Sequence, residues 1–145
     1  MKLHAIHPPH LYQSGHLEKL DMAAKTDLLE AYGITLVYGL FSRADQDLPN
    51  WGSGRYVHKR FPDGIEVDDR SYQALADEAA EHIQSGKGGV LTHCYGGRNR
   101  SGLLSALILM RLTGCTGAEA VRTVQRNRKG SLVNEHFVRY LEGLT

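Results

Sequence analysis

The sequence is poor in the features that staple a chain, span a bilayer or attract a partner by bulk charge. Of its 145 residues only Cys94 and Cys115 are cysteines, too few for a disulfide framework, and no Cys/His spacing matches a zinc site. Its 17 basic and 16 acidic residues leave a formal charge of +1. That balance exerts no global pull on nucleic acid or an anionic membrane, so any preference for anions has to be local. The longest apolar run, "LLSALILM", falls far short of a membrane span, and "MKLHAIHPPH" lacks the apolar core of a signal peptide. The expectation is a cytoplasmic protein with free thiols. Repeats, low-complexity tracts and Gly/Ser linkers are also missing, so residues 1–145 read as one domain, long enough to bury a core without staples. His4, His7 and His10 recur every third residue, but Pro8 and Pro9 interrupt them, and the segment reads as irregular rather than metal-binding.

Periodicity supplies the elements. Leu17 to Gly33 reads as a helix closed by glycine, Ile34 to Phe41 as a buried strand and Arg55 to Phe61 as an alternating strand. Arg70 to Ser85 carries Tyr72, Leu75, Ala76, Ala79, Ala80 and Ile83 on one helical face. "GGVLTH" is a short apolar strand, and Gly102 to Thr113 is a helix apolar on nearly all sides. Helices over Gly117 to Asn127 and Asn134 to Leu144 complete the chain. Strands alternating with helices predict an α/β fold, a mainly parallel central sheet flanked by helices on both faces.

One stretch concentrates the chemistry. "VLTHCYGGRNRSG" (Val90 to Gly102) runs from strand to helix through a cysteine, two glycines and two arginines. Ligands in such folds bind beyond the carboxyl ends of strands. A helix N-terminus and a glycine-containing loop offer unpaired N–H groups to an anion. Tyr95, Gly96, Gly97, Arg98, Asn99 and Arg100 would line that loop, with the planar fork of Arg100 closing over two phosphate oxygens. Cys94 would lie at the floor, in a setting that favours thiolate over thiol. A thiolate beneath a bound phosphorus is a nucleophile for phosphoryl transfer, and it requires neither metal nor cofactor.

At these residues "HCYGGRNRSG" resembles the His-Cys-x5-Arg-Ser/Thr-Gly signature of the cysteine-based protein tyrosine and dual-specificity phosphatases. That spelling and "RNRKGSLVNEHFVRYL" are most similar to cyclin-dependent-kinase-associated phosphatase and other small atypical dual-specificity phosphatases. The resemblance runs from Tyr12 to Leu144. It implies Cys94 as nucleophile, Arg100 and the loop amides as the phosphate cradle, Ser101 as a hydroxyl that assists departure of the cysteine sulfur, and His93 as part of the signature. Asn99, where the nearest relatives often carry glycine, and Arg98 beside it depart from the pattern.

Expelling an alkoxide or phenoxide calls for a proton donor. Asp63, Asp68 and Asp69 precede the cysteine, and the last two directly precede a helix that they could cap. Asp63 lies in "FPDG", 31 residues before Cys94, on a turn that resembles the family's general-acid loop. Arg43, at the end of a strand, is a candidate for the pocket wall or a surface ion pair, and Asn134 for a helix cap. The activity expected is hydrolysis of phosphotyrosine and phosphoserine/threonine monoesters, in a phosphorylated protein or a small ester. The alternatives are a phosphoinositide phosphatase, an RNA 5′-triphosphatase, suggested by Asn99 but disfavoured by the lack of an evident basic surface, and a silent phosphopeptide-binding module.

Overall fold

The structure, a computed structural model, describes residues 2–52 and 54–144. Strand β1 (His4–His7) turns back into β2 (Leu11–Ser14), and α1 (Met22–Ala31) leads to β3 (Ile34–Gly39). A short 3₁₀ turn at Leu48–Asn50 precedes β4 (Arg55–His58), followed by α2 (Asp69–Gln84) and β5 (Gly89–His93). Three helices, α3 (Arg100–Thr113), α4 (Gly117–Asn127) and α5 (Glu135–Glu142), end the chain. The strands lie in the order β1-β2-β5-β3-β4, parallel throughout except for the antiparallel β1 edge.

Alternate residues of the central strands feed two cores. Leu36, Tyr38 and Val90 pack with α2, α3, α4 and α5 on one face, while Val37 and Leu91 pack with Leu29 of α1 and with Leu48 and Trp51 on the other. Residues Ser101 to Leu109 of α3 are buried without a break, so α3 runs through the larger core, consistent with its apolar sequence. Each fully buried leucine there contributes on the order of 2 kcal/mol. Among the described residues no single helix is long and apolar enough to cross a membrane.

The sheet, its mainly parallel pairing and the helices on both faces agree with the sequence. The N-terminal segment does not. It is a hairpin strand, because Pro8 and Pro9 fall in the turn, closed by the His10 N–H on the His7 carbonyl at 2.9 Å, and not inside the strand. Helix α1 starts at Met22 rather than Leu17, since Asp21 accepts from the Ala24 N–H at 2.8 Å and sets the start there. Leu17 to Leu20 is a separate turn.

Candidate active site

Strand β5 delivers Cys94 to the carboxyl edge of the sheet, 2% exposed, and α3 begins at Arg100. The loop between them is shaped from outside through its carbonyls. That of Tyr95 accepts from the His16 N–H at 3.4 Å, that of Gly96 from Arg128 Nη2 at 3.3 Å, that of Gly97 from Gln13 Nε2 at 2.9 Å and that of Arg98 from the Leu132 N–H at 3.2 Å. In a trans peptide the carbonyl and the next residue's N–H point opposite ways. Four tethered carbonyls therefore turn the amides of Gly96, Gly97, Arg98 and Asn99 away from those partners. Among the described residues none of the Tyr95 to Arg100 amides donates to a protein acceptor. A set of unpaired amides at a helix N-terminus is an anion-binding nest.

Gly97 makes the curl possible. Its φ is +68°, and a Cβ there would stand 2.3 Å from the Gly15 nitrogen and the Ser14 carbonyl carbon. Beyond the loop, the Ser101 hydroxyl on the first turn of α3 lies 3.3 Å from Cys94 Sγ.

Two further groups approach from the loop after β4. Arg100 Nη1 donates to the Phe61 carbonyl at 3.1 Å, and Phe61 is fixed by its N–H on the Leu40 carbonyl and by stacking on Tyr72 at 4.0 Å. Pro62 and Asp63 follow, both exposed. Asp63 Oδ2 accepts from Asn99 Nδ2 and Asp63 Oδ1 from Asn134 Nδ2, each at 2.9 Å. Burial raises the phenol of Tyr72 well above its ordinary range, and negative charge on Cys94 and Asp63 reinforces the shift.

Residues 19–144 match the family model described as "Dual specificity phosphatase, catalytic domain". The chain belongs to that family. It is 27% identical over 140 residues to dual specificity protein phosphatase 1 of Arabidopsis thaliana, covering 94% of this chain and 68% of that protein. With human dual specificity protein phosphatase 4 it shares 32% identity over 117 residues, 79% of this chain but only 28% of the relative. Among solved structures, the Cydia pomonella PTP-2 phosphatase aligns with a TM-score of 0.82 at 20% identity, covering 98% of this chain and 89% of that one. Human DUSP28 aligns at 0.76 and 20% identity, covering 98% and 94%. The fold of the dual-specificity phosphatases and their class of enzyme, a protein phosphatase, follow from these matches.

Within this phosphatase domain the remaining residues named from the sequence find definite places. His93 is fully buried, its ring stacked near Tyr56 and edge-on to Phe41, with neither nitrogen partnered among the described residues. Burial pushes its imidazole down to about 4. Arg43 donates to Glu18 at 2.7 Å in an exposed ion pair. Arg98 is exposed and has no carboxylate partner among the described residues, and Gly130 lies beneath its guanidinium. Asp68 caps α2 through the Ser71 N–H, whereas Asp69 sits inside the first turn and accepts from the Tyr140 hydroxyl. Both cysteines are free thiols.

Sequence reasoning missed the outer braces. Gln13 is fully buried in β2, where its Nε2 also donates to the Ser131 hydroxyl at 2.8 Å. No element is predicted over Leu11 to Ser14, so no local pattern points to it. Arg128 holds the Gly96 carbonyl across 32 residues, and the pairing of Asn134 with Asp63 spans 71 residues, separations that no local pattern reports.

Proposed function

We propose that this domain hydrolyses phosphate monoesters of tyrosine, serine and threonine in two steps through a phosphocysteine on Cys94. The supporting observation is the loop following Cys94, whose carbonyls are tied outward while its amides donate to no protein acceptor among the described residues. Such a cradle arrives already ordered, so it stabilises the equatorial oxygens of a loose transition state without reorganising.

In the first step the Cys94 thiolate attacks phosphorus as the ester P–O bond breaks, and Asp63, protonated, gives its proton to the departing oxygen. In the second, water attacks the phosphocysteine, its proton passes to the Asp63 carboxylate, and the sulfur leaves as thiolate. A hydrogen bond from the Ser101 hydroxyl, 3.3 Å away, stabilises that thiolate. Arg100 supplies a planar fork to the phosphoryl oxygens. No step requires a metal or cofactor. The two free thiols suit a reducing compartment, and the cytoplasm is the location we propose.

The pocket mouth supports dual specificity. Its exposed ring, Tyr95 at 62%, leans on His16 at 5.1 Å and Phe41 at 6.3 Å. The Ser42 to Trp51 segment, which could have built a deep wall, is drawn instead onto α1. There Lys25 holds Asp45 at 2.8 Å and Asp47 at 3.0 Å, and Trp51 is buried. A shallow cleft admits short phosphoserine and phosphothreonine side chains as well as phosphotyrosine. Arg98 favours substrates with a second negative group, because no carboxylate among the described residues neutralises it, whereas Arg43 is already paired.

Turnover of para-nitrophenyl phosphate by the wild type, lost in Cys94→Ser, tests the chemistry. Asp63→Asn should slow poor leaving groups most. A panel of singly and doubly phosphorylated peptides beside inositol lipids and triphosphate-ended RNA tests the substrate. Activity confined to phosphotyrosine, or equal rates for wild type and Arg98→Ala on every anionic substrate, would contradict the corresponding part.

A further inference from the structure

Asn99 occupies the N-cap position of α3, where an asparagine side chain ordinarily accepts from a backbone N–H two or three residues on. Here it makes no such bond. Its side-chain amide faces three other partners. Oδ1 accepts from the backbone N–H groups of Val133 at 3.0 Å and Asn134 at 3.1 Å, while Nδ2 donates to Asp63 Oδ2 at 2.9 Å. One planar group therefore joins the phosphate loop, the loop carrying Asp63 and the segment entering α5. The first amides of α3 stay free of a side-chain cap, which leaves them to an anion.

The connection is made twice. Asn134, placed by its own N–H on Asn99 Oδ1, donates through Nδ2 to Asp63 Oδ1 and to the Gly64 carbonyl, both at 2.9 Å. Each Asp63 oxygen thus accepts one amide hydrogen and keeps another lone pair on which a transferable proton can sit. An exposed carboxyl on a turn would otherwise sample several rotamers, and proton transfer to a leaving oxygen requires a fixed distance to the bound phosphate.

We infer that Asn99 is a positioning residue that holds the Asp63 carboxyl in register with the phosphate loop. The inference rests on the reading of Asp63 as the proton donor. A glycine at this position would provide neither the donor to Asp63 nor the acceptor for Val133 and Asn134.

The test compares kcat/KM for phenyl phosphate, a poor leaving group, with that for 2,4-dinitrophenyl phosphate, which needs little protonation. In Asn99→Ala the phenyl ester should fall by about tenfold or more, the dinitrophenyl ester by less than about threefold, and inhibition by vanadate should hold. In an Asp63→Ala background Asn99→Ala should cost the phenyl ester nothing further, because the residue acts through Asp63. Asn99→Gly, which an N-cap position tolerates, likewise removes both the donor to Asp63 and the acceptor for Val133 and Asn134 without adding charge beside the carboxyl. It should show the same skewed ratio, and it carries the test if Asn99→Ala does not fold. Equal losses on both esters, or a further loss in the Asp63→Ala background, would overturn the inference. A wild type without turnover contradicts the phosphatase reading and the inference with it, whereas an active wild type with an unchanged ester ratio in the Asn99 variants contradicts the inference alone.

Discussion

The hydroxyl of Ser101 lies 3.3 Å from the sulfur of Cys94, and both are buried. A hydrogen bond to sulfur is worth most when the sulfur is anionic, as it becomes when a phosphocysteine breaks down. Ser101→Ala should therefore slow the second step by roughly ten- to a hundredfold, equivalent to the ~1.5–3 kcal/mol of a hydrogen bond to a charged group. The first step should barely change. Rapid mixing with para-nitrophenyl phosphate should show a burst of nitrophenol in the variant, and a linear start with wild-type kcat would contradict this role.

Gly96 and Gly97 sit side by side but are not equivalent. A Cβ on Gly96 meets nothing within 4 Å, whereas one on Gly97 strikes the backbone of Ser14 and Gly15 at 2.3 Å, with φ at +68°. The left-handed conformation alone costs about 1–2 kcal/mol, and a backbone clash cannot be relieved by a rotamer. Gly97→Ala should lose vanadate binding together with turnover, while Gly96→Ala keeps the binding. Retained vanadate affinity in Gly97→Ala would contradict the cradle geometry.

The buried imidazole of His93 makes stability depend on pH. Its value is lowered from 6.5 to about 4 in the folded chain. The unfolded chain therefore takes up the proton first as pH falls, and stability present above about 6.5 is lost progressively down to about 4. The loss amounts to roughly 3 kcal/mol. His4 and His82, also lowered chiefly by burial, act with the same sign. Urea unfolding from neutral pH to about pH 4 should be steeper for wild type than for His93→Gln by that amount. Parallel curves would contradict the assignment.

Lys25 of α1 and Asp45 of the loop after β3 form a buried pair at 2.8 Å. Burial pulls the ammonium value down, but hydrogen bonds and charge from Asp45 and Asp47 outweigh it and the net shift is upward. Lys25→Met leaves Asp45 buried without its counter-ion and should destabilise the domain by about 3 kcal/mol or more. Unfolding within about 1 kcal/mol of wild type would show that Asp45 finds another partner or water.

Much of this arrangement was legible because it is local. The strand-to-helix placement of Cys94 follows from apolar patterning around "HCYGGRNRSG", and the alternation of strands with helices fixes the parallel sheet. What escaped the sequence is long-range or depends on a turn. Gln13 and Arg128 brace the loop across 84 and 32 residues, separations that no local pattern encodes. The prolines that disguised β1 mark its turn. Asn134 was read as a helix cap, and its Oδ1 does accept from His136 and Phe137. The same side chain also grips Asp63 through its amide hydrogens, a second role invisible in the cap pattern.

The central claim is a covalent phosphate on Cys94. Wild type and Ser101→Ala would be mixed with para-nitrophenyl phosphate, quenched in acid within the burst, digested and weighed by mass spectrometry. The account predicts one added phosphoryl group on the peptide containing Cys94, more abundant in Ser101→Ala and absent in Cys94→Ser. Turnover with no phosphorylated Cys94 peptide in either active protein would contradict it.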